Sequence, residues 1–459
     1  MAYTYLSRTT STAGDGKTFT FSAWVKRSLV GSGDPPLFCC GAGNSSQADQ
    51  FFFGFNDGGA SMDKLSLQQY NGTPAIRTNR KFRDTNAWYH IVFAVDTTQA
   101  TASNRLKIFV NGVQETSFAD TNYPTQSYSY ALGLGTSKVF VVGGGYFSGY
   151  ARPYDGLMSH VHYTDGTAYD ASYFGSTDST TGEWQINTSP SVTYGTNGFF
   201  ILKDTNSGTD QSTNSNNFTV ASGSLTKTED CPSNVFATMN PLDNFYANSS
   251  FTYGNTETAM PAANNSFNVS TIGMPSTSGK FYAEVKIITP SQYTEVGISS
   301  GGSTLATGGL GRTISSSGNY EWGYTNGNQV VRHNGSAVAG WSGANYSTND
   351  IVAVALDNDN QKIYWSVNGV YQNSGVPTSG ATGTGALSTS TIPSFYLFAA
   401  GDNHSGGDPS NTILQWNFGN GYFGATAVSS AGTNASGNGI FEYDVPTGYT
   451  ALSTKGLNL

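Results

Sequence analysis

Apolar residues in this chain recur in short alternating or continuous runs, each cut off by Gly, Asn or Ser, and the three-and-four spacing of amphipathic helices is hard to find. A chain punctuated this often buries its apolar side chains by pairing strands. The runs predict strands at 19–26, 50–55, 89–96, 107–110, 139–142, 199–203, 282–288, 351–356, 363–367 and 413–418. Gly at 56 of 459 residues, with 15 Pro and no G-X-Y period, supplies tight turns and excludes collagen. With 37% hydrophobic and 13% aromatic residues there is ample material for a core, and the length suits two large β-domains.

An internal repeat supports that division. The runs IVFAVD at 91–96 and KIFVNGV at 107–113 are echoed by IVAVALD at 351–357 and KIYWSVNGV at 362–370. Each copy places two strands in succession and ends the second in Asn-Gly, the pair that tolerates positive φ in a two-residue hairpin. Between the copies, residues 204–228 are polar and poor in large apolar side chains. The expected organisation is a first domain at 1–203, a polar linker at 204–235 and a second domain at 236–459.

Several classes are excluded. No run of about 18 apolar residues is present, so no membrane insertion is expected. The start, MAYTYLSR, lacks the apolar segment of a signal peptide. The net charge of −9 and pI near 4.9 argue against nonspecific nucleic-acid binding, which needs clustered cations. Cys39, Cys40 and Cys231 cannot staple a secreted disulfide framework. Without an export signal, triplets such as those at Asn71, Asn217 and Asn334 reflect Asn/Ser/Thr richness more than glycosylation.

Particular motifs carry a resemblance. FTFSAWVKRS at 19–28, WYHIVFAVD at 88–96, LKIFVNGVQ at 106–114 and YDGLMSHVHYTDG at 154–166 resemble laminin G-like, concanavalin A-like domains. GKFYAEVKI at 279–287, VGIS at 296–299, YEWGY at 320–324, IVAVALDNDNQKIYWSVNGV at 351–370 and ILQWNFGNG at 413–421 resemble a SPRY domain. The resemblance implies an all-β chain of two antiparallel sandwiches, or jelly rolls. The stretch DQSTNSNNFTV, then DCPSNVFATMNPLD at 230–243, and the ending FEYDVPTGYTAL at 441–452 are similar to two-domain proteins of marine tailed phages assigned to fibres or virion decorations.

The same sequence limits the chemistry the chain can carry. Jelly-roll glycosidases need two carboxylates close together on one strand face, one acting as acid. No E-x-D-x-x-E strand occurs, and Glu284, Glu295 and Glu321 stand alone in sequence. Gly297-Ile-Ser299-Ser-Gly301 matches a nucleophile elbow in form but reads as a strand entering a turn. His160-Val-His162 would put two imidazoles on one strand face, without a third ligand to name. The turn at 402–408 is rich in oxygen ligands, and laminin G-like relatives often hold Ca²⁺, but that family site belongs to the first domain and this turn lacks the regular spacing of a calcium loop; no cofactor is expected, with Ca²⁺ the one alternative.

Two clusters stand as candidate sites. Residues 1–107 hold 11 Lys+Arg against 7 Asp+Glu, and Arg77, Arg80, Lys81 and Arg83 form the densest group, a docking patch for an acidic capsid or tail surface. In GWSGANYS, Trp341 and Tyr346 lie in a loop of small polar residues; exposed rings there would stack on a sugar, with Asp402, Asn403 and His404 taking hydroxyls.

The expectation is a non-enzymatic virion surface protein, made in a host cytoplasm. One part docks on other capsid or tail proteins, and the other offers loops to a host-surface glycan or protein. A homo-oligomer, with a trimer as the fibre precedent, is expected. The alternatives are a secreted glycan-active enzyme and a structural cement protein without ligand.

Overall fold

The computed structural model describes residues 4–31, 36–41, 50–56, 62–69, 75–133, 135–147, 150–203, 207–246, 248–262, 265–301, 309–312, 320–392, 394–403 and 411–459. They are nearly all strand and turn, in antiparallel sheets, and divide into two compact units at Lys227/Thr228.

In unit 1 the strands common to both units are β1 (Tyr5–Thr9), β2 (Thr18–Arg27), β3 (Pro36–Gly41), β4 (Phe51–Asn56), β5 (Lys64–Gln69), β6 (Ala75–Lys81), β7 (Trp88–Asp96), β8 (Leu106–Val110), β9 (Val113–Gln114), β10 (Val139–Val142) and β11 (Gly156–Asp165). One sheet runs β6-β5-β4-β3-β10-β1, with Phe118–Asn122 and Thr219–Ser222 at its edges; the other runs β11-β2-β7-β8-β9, with Phe199–Ile201 beside β11. Inward-facing rings close the sandwich: Phe21 stacks on Phe38 at 5.2 Å, and Phe38 meets Phe140 edge-on at 5.3 Å. Each such ring, wholly buried, contributes about 1.5–3 kcal/mol.

Unit 2 repeats the plan with β12 (Ser266–Ser270), β13 (Lys280–Thr289), β14 (Thr294–Ser299), β15 (Glu321–Thr325), β16 (Val330–His333), β17 (Ser336–Ala337), β18 (Ile351–Asp357), β19 (Lys362–Val367), β20 (Val370–Tyr371), β21 (Phe395–Asp402) and β22 (Thr412–Asn417). Its sheets run β17-β16-β15-β14-β21-β12 and β22-β13-β18-β19-β20. Strand n of unit 1 therefore has its counterpart at n + 11 in unit 2, in the same chain order and the same place in the sheet. Every strand predicted from the sequence overlaps an observed one, and 50–55, 199–203 and 413–418 run one or two residues past its bounds.

The repeated hairpins show why the sequence folds this way. Asn111 (φ 48°) and Gly112 (φ 80°) join β8 to β9, and Asn368 (φ 50°) and Gly369 (φ 78°) join β19 to β20. Both central residues need positive φ, which Asn and Gly adopt at least cost. Asn111 Oδ1 accepts the His90 amide at 2.8 Å, and Asn368 Oδ1 accepts the Ile351 amide at 2.9 Å. The same device thus ties the turn to the preceding strand in both units.

The linker expectation is corrected. Residues 207–227 belong to unit 1, because their polar side chains are hydrogen-bonded inward. Asp210 is buried and accepts from the amides of Phe200, Ser212 and Asn216 at 2.8–2.9 Å. Asn216 Nδ2 donates to the carbonyls of Thr196 and Gly198. Phe218 is buried against Phe199, ring centroids 4.6 Å apart, and Thr219–Ser222 pairs with β1. Residues 228–235 belong to unit 2, where Asn234 Nδ2 donates to Asn438 Oδ1 at 2.9 Å.

Candidate functional site

The loop aromatics are core residues, which corrects the expectation of exposed rings. Trp341 is 7% exposed and stands edge-on to Tyr324 and Trp365, at 4.8 and 6.0 Å between centroids. Tyr346 is 1% exposed, and its hydroxyl lies 2.6 Å from the Thr294 carbonyl and 3.1 Å from that of Tyr324. The small residues of GWSGANYS let the loop fold inward and plug the end of the sandwich, so neither ring offers a face to a sugar. Asp402 points inward too, accepting from Ser291 Oγ at 3.1 Å and from Thr412 Oγ1. Asn403 is half-buried beside Gly309, and His404, with the rest of the 404–408 turn, lies outside the described residues.

The basic patch is largely compensated. Arg77 pairs with Asp120 at 2.7 Å, Arg80 with Glu115 at 3.0 Å and Arg83 with Asp63 at 2.9 Å. Asp63 also holds Arg27 at 3.0 Å, both side chains buried, and accepts the Gly31 amide. Burial pushes the Asp63 carboxyl up, but that amide and the two arginines outweigh it and hold the group below the usual aspartate range. Among the described residues, Lys81 alone of the four predicted cations is exposed without such a pair.

Sequence reading missed two acids on adjacent strands that hold one segment between them. Glu295 on β14 and Glu321 on β15 lie on the outer face of their sheet, since Glu321 opposes Ser299 and Glu295 opposes Thr325. Glu295 Oε2 accepts the Leu310 amide at 2.6 Å, and Glu321 Oε2 accepts the next amide, Gly311, at 3.0 Å. Glu295 Oε1 also takes Arg312 Nε at 2.5 Å. Glycines make the room: a Cβ at Gly323 would sit 2.7 Å from the Leu310 carbonyl oxygen, and one at Gly401 3.0 Å from its nitrogen. Leu310 is fully buried against Phe267, Val269, Leu397 and Ala399. Burial raises Glu295 to about 7, against the pull of Arg312 and the amide. The two carboxylates are 0% and 3% exposed. They fasten the segment that covers them.

Other nucleophile and ligand constellations are structural. Ser22 Oγ lies 2.9 Å from His90 Nε2, both buried, while Trp184 Nε1 donates to His90 Nδ1 at 3.0 Å. Because Nδ1 accepts, the neutral ring carries its proton on Nε2 and donates to Ser22, so it cannot serve that serine as a base. Burial lowers His90 to about 3, which keeps the ring neutral. Ser299, in the elbow-like motif, is fully buried within β14. A bulge with φ 48° at His160 breaks the His160/His162 alternation; His162 bonds Tyr194 and His160 bonds Ser159. Among the described residues, no three His, Cys, Asp or Glu gather to hold a metal.

An open cleft of about 410 Å³ lies on unit 2, lined by Ser278, Lys280, Asp359, Ser436, Thr450 and Leu457 among others. Lys280 is paired with Asp357 at 2.9 Å, and Asp359 accepts the Gly279 amide at 2.9 Å. What it offers a ligand is hydrogen bonding and an aliphatic rim.

Residues 2–168 match the family model of the Concanavalin A-like lectin/glucanases superfamily, Laminin_G_3. Over those residues unit 1 is similar to that superfamily, and its fold is the two-sheet antiparallel sandwich. The strand correspondence carries the same architecture into unit 2. Among solved structures, the chain is similar to the SPRY domain of human HERC1, at 14% identity and a TM-score of 0.30, covering 39% of this chain and 96% of that one. It is similar to a putative carbohydrate binding protein from Bacteroides ovatus, at 16% identity and a TM-score of 0.28, covering 49% and 61%. Domain 4 of AbnA, a GH43 extracellular arabinanase from Geobacillus stearothermophilus in complex with arabinotriose, matches at 18% identity and a TM-score of 0.23, covering 35% and 64%. No curated protein matches the chain.

Proposed function

We propose that this chain is a non-enzymatic surface protein of a phage virion, an adhesive two-sandwich module that contacts glycans on a host surface. The observation that carries the non-enzymatic part is the sealing of Glu295 and Glu321. These two acids are spent on the Leu310 and Gly311 amides and lie beneath the residues they hold. A glycosidase needs its acid and base open to the scissile bond, with room for water. The virion setting is supported by the likeness of DQSTNSNNFTV, 230–243 and 441–452 to fibre and decoration proteins. Multiple copies on a particle would raise a weak single-site affinity through effective concentration.

One observation favours the glycan-active enzyme instead: burial raises the Glu295 carboxyl to about 7, the range of a general acid. The readings separate on incubation of purified protein with host polysaccharide. The adhesive reading expects adsorption without release of reducing sugar. Steady release that E295Q abolishes would overturn it. Mass spectrometry of purified particles tests the virion setting, and absence of the chain from them removes that setting.

A further inference from the structure

We propose that Lys64 and Lys81 form a docking point for an acidic polysaccharide on the outer face of the β5–β6 pair. Lys64 and Lys81 are cross-strand partners at the end of the β5–β6 ladder, beyond a register shift between Lys64 and Ser66, and both side chains leave the sheet on the same side. Like charges placed opposite one another destabilise a sheet, and a carboxylate at either place would relieve the repulsion. The surrounding cations are treated otherwise: Arg27 and Arg83 share Asp63, Arg77 has Asp120 and Arg80 has Glu115. Asp84, exposed nearby, turns its carboxylate to the amides of Asn86 and Ala87. Lys81 is exposed and Lys64 half-buried, and among the described residues neither ammonium has an ion pair or hydrogen bond.

The chemistry of the free groups indicates the ligand. A folded acidic protein surface is best matched by guanidinium forks, which bind carboxylates in two-point geometry, and the four arginines here are already committed within the molecule. What is left is two hydrated point charges on flexible stems. A chain of uronate or sulfated sugars suits them, because its anions recur along a solvated polymer and ask for charge without fixed geometry. This inference rests on the adhesive reading and gives it a residue-level contact that the buried Trp341 and Tyr346 cannot supply.

The test measures binding of the purified full-length chain to dextran sulfate and to polyglutamate over a range of salt. The wild type should bind dextran sulfate more tightly than polyglutamate. K64Q/K81Q should lose about ten-fold in affinity at low salt, and the slope of log affinity against log salt should fall by about two, one for each cation removed. K64R/K81R should retain binding. The melting temperature of K64Q/K81Q should equal or exceed that of wild type, because the repulsion is gone. Unchanged affinity in K64Q/K81Q, or a lower melting temperature, overturns the proposal; tighter binding to polyglutamate replaces the sugar with an acidic protein. These readouts do not depend on host adsorption, so failure here is distinguishable from failure of the adhesive reading.

Discussion

Trp341 meets Tyr324 edge-on, ring centroids 4.8 Å apart and planes at 71°, inside the core of unit 2. The contact joins the inward-folded loop to β15, so the loop is part of the packing and not a platform above it.

Trp341→Ala should therefore destabilise unit 2 by about 3–5 kcal/mol, the cost of emptying a large aromatic site in a packed core. Urea unfolding followed by tryptophan fluorescence checks this, and a loss below about 1 kcal/mol would return the ring to the surface.

Asp63→Asn should cost about 3–5 kcal/mol, because it leaves the buried Arg27 guanidinium without its counter-charge. The folded-state pKa of Asp63 is depressed, so its contribution is present above the ordinary aspartate range and is lost as pH falls through the lowered value. Acid unfolding of wild type and D63N should converge at low pH and separate near neutrality. Parallel curves would remove the ion cluster as the cause.

Glu284 runs the other way. Burial raises it to about 7, against donation from the amides of Glu442 and Tyr443 and from the Tyr282 hydroxyl. A raised carboxyl contributes stability that is complete below about 4.5, the unfolded value, and is lost as pH rises towards 7. The urea midpoint of unit 2 should fall over that window, and Glu284→Gln should reduce the fall, leaving the share due to Glu295, while costing about 1–3 kcal/mol. A wild-type midpoint constant between pH 4.5 and 7 would contradict the assignment.

Truncation tests the domain boundary. A fragment ending at Lys227 should fold, whereas one ending at 203 should not, since it loses Asp210, Phe218 and the edge strand Thr219–Ser222. Equal melting temperatures for the two fragments would restore the spacer.

The sequence by itself determined what is local. Alternating runs located strands because side-chain direction repeats every two residues, and Asn111-Gly112 and Asn368-Gly369 announced hairpins because few residues accept two positive φ angles in succession. The repeated pair of motifs also disclosed two units of related build. Tertiary structure decided everything that rests on burial and on partners distant in the chain. The polar run through Asp210 reads as a spacer until the amides of Phe200, Ser212 and Asn216 converge on one carboxylate. Trp341 reads as an exposed loop ring until small neighbours let the loop turn inward. Glu295 and Glu321 stand alone in sequence and reach successive amides of one segment only because β14 pairs with β15, while the adjacency of Lys64 and Lys81 exists only in the register of β5 on β6. Spacing along a chain carries periodicity, but it carries no record of which strand lies beside which, and that neighbourhood sets both the environment of a charge and its access to water.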